Sequence, residues 1–224
     1  MPKLTSTYYS KIYRGFKEIE SHEYLSLVRY YEAYENEIKQ LGFTEFFELL
    51  VTYTEALFEV GAYRNHCSMV DIAIEISIVN NIKFYNKKDI YYELLFKKAA
   101  SCYNLLKYNE AEHILRELIK IDPQNDLSIR FLNKCLHQKK PKFVRSAQAI
   151  SIILFLLAAL LISIELIVVR PLFEASTHIV ELTRNSLFLT GVLILAGSEA
   201  AYRFKVNKHV DDFVAKARKQ QKLK

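Results

Sequence analysis

Glycine and proline are scarce in this chain, five and four in 224 residues. Strand-like alternation of apolar and polar residues is nearly absent, which leaves helical periodicity as the dominant pattern. Cysteine is sparse as well. Cys67, Cys102 and Cys135 are odd in number and form no Cys-x-x-Cys pair, so they read as buried free thiols. Their near-regular spacing does not keep the phase of the repeat described below. The motifs that announce chemistry are missing too: no His-Glu-x-x-His, no phosphate loop, no Gly-x-Ser-x-Gly and no acidic metal loop. The histidines at 22, 66, 113, 137, 178 and 209 are scattered, and the neighbours His66 and Cys67 diverge on one helix. No catalytic residue, metal or cofactor is expected, and the chain is not expected to be an enzyme. Its first residues, Met1 to Tyr9, hold no apolar stretch or small-residue cleavage site, so the N-terminal region is expected to remain cytoplasmic.

Charge is distributed unevenly. Residues 1–140 carry 19 Lys/Arg and 19 Asp/Glu, whereas residues 141–224 carry 12 and 6 and so supply the whole net charge of +6. The basic balance therefore belongs to the C-terminal part and is not a nucleic-acid footprint of the whole chain. That part also holds the apolar runs. Ile150 to Val169 is interrupted only by Ser151, Ser163 and Glu165. Twenty residues at 1.5 Å each reach about 30 Å, the thickness of a hydrocarbon core. A second, shorter run from Ser186 to Tyr202 contains Gly191, Gly197, Ser198 and Glu199. The expected layout is a domain over 1–140, a two-helix transmembrane region over 141–204 with spans at about 149–169 and 186–202, and a basic amphipathic tail over 205–224. Lys139, Lys140, Lys142 and Arg145 precede the first span, and Arg203, Lys205, Lys208 and five further basic residues follow the second. Only Arg170 and Arg184 stand between. The positive-inside bias thus predicts a multi-pass inner (plasma) membrane protein with both termini cytoplasmic and an outer loop at 170–185.

After Pro171, the residues Leu172, Phe173, Ser176, Ile179, Val180, Thr183 and Leu187 recur at helical spacing, which fits an amphipathic cap or a short re-entrant helix. Val206, Val210, Phe213, Val214 and Ala217 form a further stripe, suited to anionic lipid or to packing under the soluble domain. Glu165 and Glu199 need explanation, because a carboxylate within a span is costly and by default functional. Glu165 can snorkel or pair with Arg170, and Glu199 can pair with Arg203 one turn on. In a symmetric oligomer each could form a ring that attracts cations, with Ser163 as a further polar group in the span. Ala159/Ser163 and Gly197/Ala201 offer small faces for close helix packing.

The first 140 residues divide into helices. Ser21 is placed to cap one that Gly42 ends, and Thr44 to cap the next, which runs to about Val60. Gly61-Ala62-Tyr63 turns into a helix to Val79, the polar stretch Asn80–Lys88 reads as a loop, and Asp89 caps a helix to Leu106. Further helices run from Glu110 to Ile121 and from Asp126 to His137. In residues 92–125, Leu95, Ala99, Cys102, Tyr108, Ala111, Leu115, Leu118 and Pro123 resemble the tetratricopeptide repeat. In residues 47–80, Leu50, Leu57, Gly61, Tyr63, Val70 and Ala73 match the same pattern, with His66 where a small residue is usual. The resemblance implies an all-α fold of TPR-like helical hairpins plus two transmembrane helices. In it Ala99 and Ala111 permit close approach within a hairpin, Leu95, Leu115 and Leu118 fill the space between hairpins, and residues 126–137 cap the array. Fourteen of the fifteen tyrosines lie in this part, where aromatics at helical spacing read as core.

In domain order the chain is similar to two-span effector subunits of bacterial anti-phage systems, including the Hailong-type channel controlled by an oligonucleotide. That similarity implies a homo-oligomeric ion channel or pore in the lipid bilayer, gated by a cytosolic sensor domain that binds an oligonucleotide or protein. Lys87, Lys88, Lys97, Lys98, Tyr85, Tyr91 and Tyr92 would be its ligand contacts. The competing reading is a membrane-anchored repeat scaffold for protein–protein interaction.

Overall fold

The computed structural model describes residues 11–169 and 177–223. Arg170, Pro171, Leu172, Phe173 and Ser176 of the expected outer loop, and with them the Glu165–Arg170 pair, lie outside the described residues. The fold is all-α. It comprises two compact units, residues 1–135 and 136–224.

The first unit is a run of antiparallel helices: α1 Lys11–Glu18, α2 Tyr24–Ala33, α3 Glu35–Ile38, α4 Phe43–Glu59, α5 Tyr63–Val79, α6 Ile90–Asn104, α7 Tyr108–Ile121 and α8 Asp126–Gln138, whose last turn crosses into the second unit. The turns between them are short because three helices close in the same way. Gly61, Asn81 and Leu106 each take a positive φ (78°, 53° and 62°). The next N–H then reaches back five residues: Ala62 to the Leu57 carbonyl, Ile82 to Ser77 and Lys107 to Cys102, at 2.8–2.9 Å. This is the left-handed closure that satisfies orphan carbonyls at a helix end. Leu106 adopts it although a side chain there is strained by roughly 1–2 kcal/mol.

Some local expectations are corrected. Ser21 and Thr44 are not caps: α2 starts at Tyr24 after Glu23, and α4 at Phe43 after Gly42, neither with a side-chain cap. The region expected as one helix before Gly42 breaks at Tyr34 into α2 and α3. The helix expected from Glu110 starts two residues earlier, at Tyr108. The polar stretch 80–88 contains the one sheet among the described residues, β1 Phe84–Tyr85 paired antiparallel with β2 Lys88–Asp89. Asn86 and Lys87 between them both have positive φ, 49° and 65°, as a two-residue type I′ hairpin loop requires. Asp89 does cap α6, accepting from the Tyr92 N–H at 3.0 Å.

Periodicity decides what is buried. α4 is enclosed on several faces, with Leu49, Leu50, Ala56 and Leu57 fully inaccessible, and Phe16, Leu27, Tyr31 and Ile38 complete that part of the core. Tyr31 and Tyr53 stack at 3.9 Å between ring centroids, their planes nearly parallel, inside it. In the other half, Ala99, Ala111, Leu115, Leu118, Leu132 and Cys135 are fully buried and Cys102 almost so. Ala99 on α6 and Ala111 on α7, the small residues expected at a close helix approach, are thus both inaccessible. Cys67, Cys102 and Cys135 are free thiols, although Cys67 is only half-buried. The Cys67 and Cys102 sulfurs, 35 residues apart along the chain, come within 4.0 Å across α5 and α6.

The second unit is built on a helical hairpin. α9 is Lys142–Ile164, continued by a π-helical turn at Glu165–Val169, and α10 is a single helix of 46 residues, Thr177–Lys222. The expected outer-loop helix from residue 177 onward, the second span and the basic tail are therefore one continuous helix. No Pro or Gly-rich break lies within it to stop propagation. Both helices are long and apolar enough to cross a membrane, over Lys142–Ile167 and Val180–Lys222. A soluble core helix passing that test would be mostly buried. Here 17% and 11% of the apolar windows are buried, so their side chains face outward. The helices approach closely at Gly191, where a side chain's Cβ would stand 2.7 Å from the Phe155 ring. Phe155 also meets Phe188 at 5.4 Å.

Leu115→Asp should abolish folding of the first unit, since Leu115→Ala alone is worth about 2–5 kcal/mol at a closed core site and a buried unpaired carboxylate adds more. Loss of that unit's cooperative thermal transition and of its protease resistance is the expected result.

Candidate functional site

Two groups of residues carry the functional expectations, one in the membrane-length hairpin and one in the first unit.

In the hairpin, the π-helical turn begins at Glu165, and a π turn widens the helix by one residue. The Glu165 side chain is 1% exposed and accepts from Arg184 Nη1 on α10 at 2.7 Å. Arg184 is about one-quarter exposed. The carboxylate thus meets a cation from the opposite arm of the hairpin. In the sequence Arg184 reads as an outer-loop residue, because the second apolar run starts at 186. The signal that points to the pair is order along the chain: Arg184 is the first Lys or Arg of α10 after Glu165.

Glu199 lies toward the other end of the hairpin. It pairs with Arg203 one turn on α10 and with Lys140, each at 3.3 Å. Close by, the Tyr202 hydroxyl donates to the Leu136 and Lys139 carbonyls at 2.6 and 3.0 Å, closing the C-terminal end of α8. Ser163 is exposed, and its hydroxyl donates back to the Ala159 carbonyl at 3.2 Å. Ala159, Ser163, Gly197 and Ala201 all face away from the hairpin's own contact, and nothing lies within 4 Å of a Cβ built on Gly197. Thr183, Ser186 and Thr190 share the Gly197–Ala201 side of α10 by helical spacing and are likewise exposed. Their hydroxyls bond the carbonyls three residues back at 2.9 Å, which reduces the cost of apolar surroundings.

In the first unit, the seven expected ligand residues do not converge on one site. Tyr85, Lys88 and Lys97 line a small cleft of about 90 Å³ together with Glu55 and Glu93. Lys97 pairs with Glu55 at 2.6 Å and lies 3.9 Å from Glu93, while Lys88 pairs with Glu93 at 3.3 Å. Lys98 pairs with Asp71 at 2.5 Å. These pairs tie α6 to α4 and to α5, at about 0–1 kcal/mol each given their exposure. Tyr92 bonds Ser128 at 2.6 Å, and Tyr85 sets its ring edge-on to Phe47. Lys87 is exposed at the hairpin tip and Tyr91 is half-buried on α6.

A site without a sequence motif lies between α5 and α6. His66 is fully buried, its ring 5.4 Å from Phe58 and its Nδ1 2.8 Å from Ser101 Oγ, with Nε2 unpartnered. Burial, reinforced by the nearby Lys97, lowers its pKa to about 4. One residue along in the same register, burial raises the Cys102 thiol to about 12 and lifts Cys67 as well. The histidine is therefore neutral and the thiols protonated at neutral pH, a pairing suited to structure more than to nucleophilic chemistry. Among the described residues no cluster of three or more His, Cys, Asp or Glu is placed to hold a metal.

Because His66 protonates near 4 when folded and near 6.5 when unfolded, the unfolded chain binds the extra proton first. Stability should fall as pH drops from about 6.5 toward 4 and be unaffected by this group above that window. His66→Gln should flatten that part of the profile relative to the parent chain in paired thermal melts. For the hairpin, Glu165→Gln and Arg184→Gln should each lower the melting temperature in detergent. Combined, they should cost less than the sum, with a coupling of about 1–3 kcal/mol. Strict additivity would show that the pair contributes nothing to the hairpin.

Compared with protein-family models, with curated proteins and with solved structures, the chain matches none.

Proposed function

We propose that this chain is an integral membrane effector: the α9–α10 hairpin spans the bilayer and assembles with copies of itself into an ion-conducting pore, and the α1–α8 domain is a TPR-like sensor for a cytosolic ligand or partner. The supporting observation is the Glu165–Arg184 pair inside an otherwise apolar hairpin. A carboxylate buried within a membrane span is costly in lipid, and a mere anchor has no use for one. The stripe Thr183, Ser186, Thr190, Gly197 and Ala201 supports assembly, since it faces away from α9 and its small residues allow another helix to approach. Burial of Ala99, Ala111, Leu115 and Leu118 supports the repeat reading of the first unit. On this proposal both termini are cytoplasmic, the chain has no catalytic role, and the domain order favours a part in anti-phage defence.

The scaffold reading draws on a different observation. Lys88, Lys97 and Lys98, expected as ligand contacts, are engaged in ion pairs within the domain, so the ligand of the sensor has to compete with Glu93, Glu55 and Asp71 or bind elsewhere. The two readings separate on one preparation. Purified in detergent and reconstituted into liposomes, the effector is an oligomer whose ion flux changes in Glu165→Gln. A monomer without flux on addition of cytosolic extract or oligonucleotides leaves the scaffold.

A further inference from the structure

The hairpin carries a second feature near its Glu199 end. A cleft of about 550 Å³ opens beside the first turn of α9 and the stretch of α10 that follows its apolar run. That volume lies within the range of roughly 300–1,000 Å³ typical of small-molecule sites. Its walls are apolar: Leu136, Phe143, Tyr202 and Val206. Its polar lining is basic, with Lys139, Lys205 and Lys208 against the single carboxylate of Asp212, and His209 between them on the helix. Lys205 and Lys208 enter no ion pair among the described residues, in contrast to Lys140 and Arg203, which hold Glu199.

Position and chemistry agree on one kind of occupant. Tyr202 and Phe143 are aromatic residues at the point where apolar helix gives way to basic helix, the depth of a bilayer interface. A molecule held there meets hydrocarbon on one side and three ammonium groups on the other. We propose that the cleft is a binding site for one anionic phospholipid, its phosphate on Lys205 and Lys208 with Lys139 beside them, and its acyl chain along Phe143, Tyr202 and Val206. Basic pockets of this kind at helix ends select lipid headgroups. The site rests on the membrane reading of the hairpin but not on pore formation or on which leaflet the cleft faces. It is distinct from general attraction of a basic tail to a charged surface, because it has a wall for a chain and a defined pair of lysines.

The chain has no tryptophan, so Phe143→Trp places a single indole on the cleft wall. The variant is reconstituted into phosphatidylcholine vesicles containing acyl-brominated phosphatidylglycerol or, in parallel, acyl-brominated phosphatidylcholine. The phosphatidylglycerol should quench the indole at a mole fraction on the order of tenfold lower, from about 1 kcal/mol per lysine, and Lys205→Gln with Lys208→Gln should remove the difference. Equal quenching by both lipids, or none by either, in protein that floats with the vesicles overturns the site and leaves the membrane reading standing. Protein that stays at the bottom of the flotation gradient overturns the membrane reading itself. Native mass spectrometry of the unsubstituted chain, extracted from mixed vesicles, checks the result without the indole: retained phosphatidylglycerol supports the site, and equal retention of both lipids rejects it.

Discussion

An ionised side chain inside an apolar helix pair has to find its counter-charge within the pair, because the surroundings offer none. That requirement organises the second unit. Glu165 is met by Arg184 across the bend, and Glu199 by Lys140 and Arg203 at the far end. Between these two points lie Phe155, set against Phe188 and Gly191, and the buried Ser151, whose hydroxyl bonds the Ala147 carbonyl. The two ion clusters, one at each end, help fix the register of the antiparallel helices. A slip by one turn would break Glu165–Arg184 and Lys140–Glu199, leaving Glu199 only its same-helix partner Arg203, whereas apolar side chains between them could repack at modest cost.

The first unit obeys a different constraint. Its helices are short, and closing each one without a long loop requires a residue in the left-handed region. Gly61, Asn81 and Leu106 provide it, and the hairpin tip at Asn86–Lys87 provides two more. Tight closure brings helices side by side, so that residues 35 apart on α5 and α6 become neighbours, His66 beside Ser101 and Cys67 beside Cys102, while Glu55 and Asp71 come beside Lys97 and Lys98 from 42 and 27 residues away. Polar contacts in this unit are therefore largely a consequence of register.

Long-range periodicity is legible in the sequence. The helices from residue 43 to 138 lie close to the expected places, and Ala99, Ala111, Leu115 and Leu118 are buried as expected, whereas on α6 it is Leu94 that is buried and the expected Leu95 is half-buried. Two membrane-length helices are legible as well, from run length alone. What the sequence conceals are features set by geometry between elements. Ser21 and Thr44 are good capping residues in isolation, but packing of α2 and α4 puts the helix starts elsewhere. α1 has a single fully buried anchor, Phe16, too little for a periodic signal. Arg184 is separated from Glu165 on paper by a loop expected where the helix in fact continues. Lys97 and Lys98 look available in the sequence because their partners, Glu55 and Asp71, lie 42 and 27 residues back along the chain.

The length of α10 has a mechanical consequence. Forty-six residues at 1.5 Å each make a rod of about 70 Å, more than twice the hydrocarbon thickness. A rod without a joint transmits rotation: turning its basic end about the long axis turns Arg184 by the same angle. Twisting the lysine-rich end thus loads the Glu165–Arg184 contact, so the helix acts as a torsion shaft with an ion pair at its far bearing.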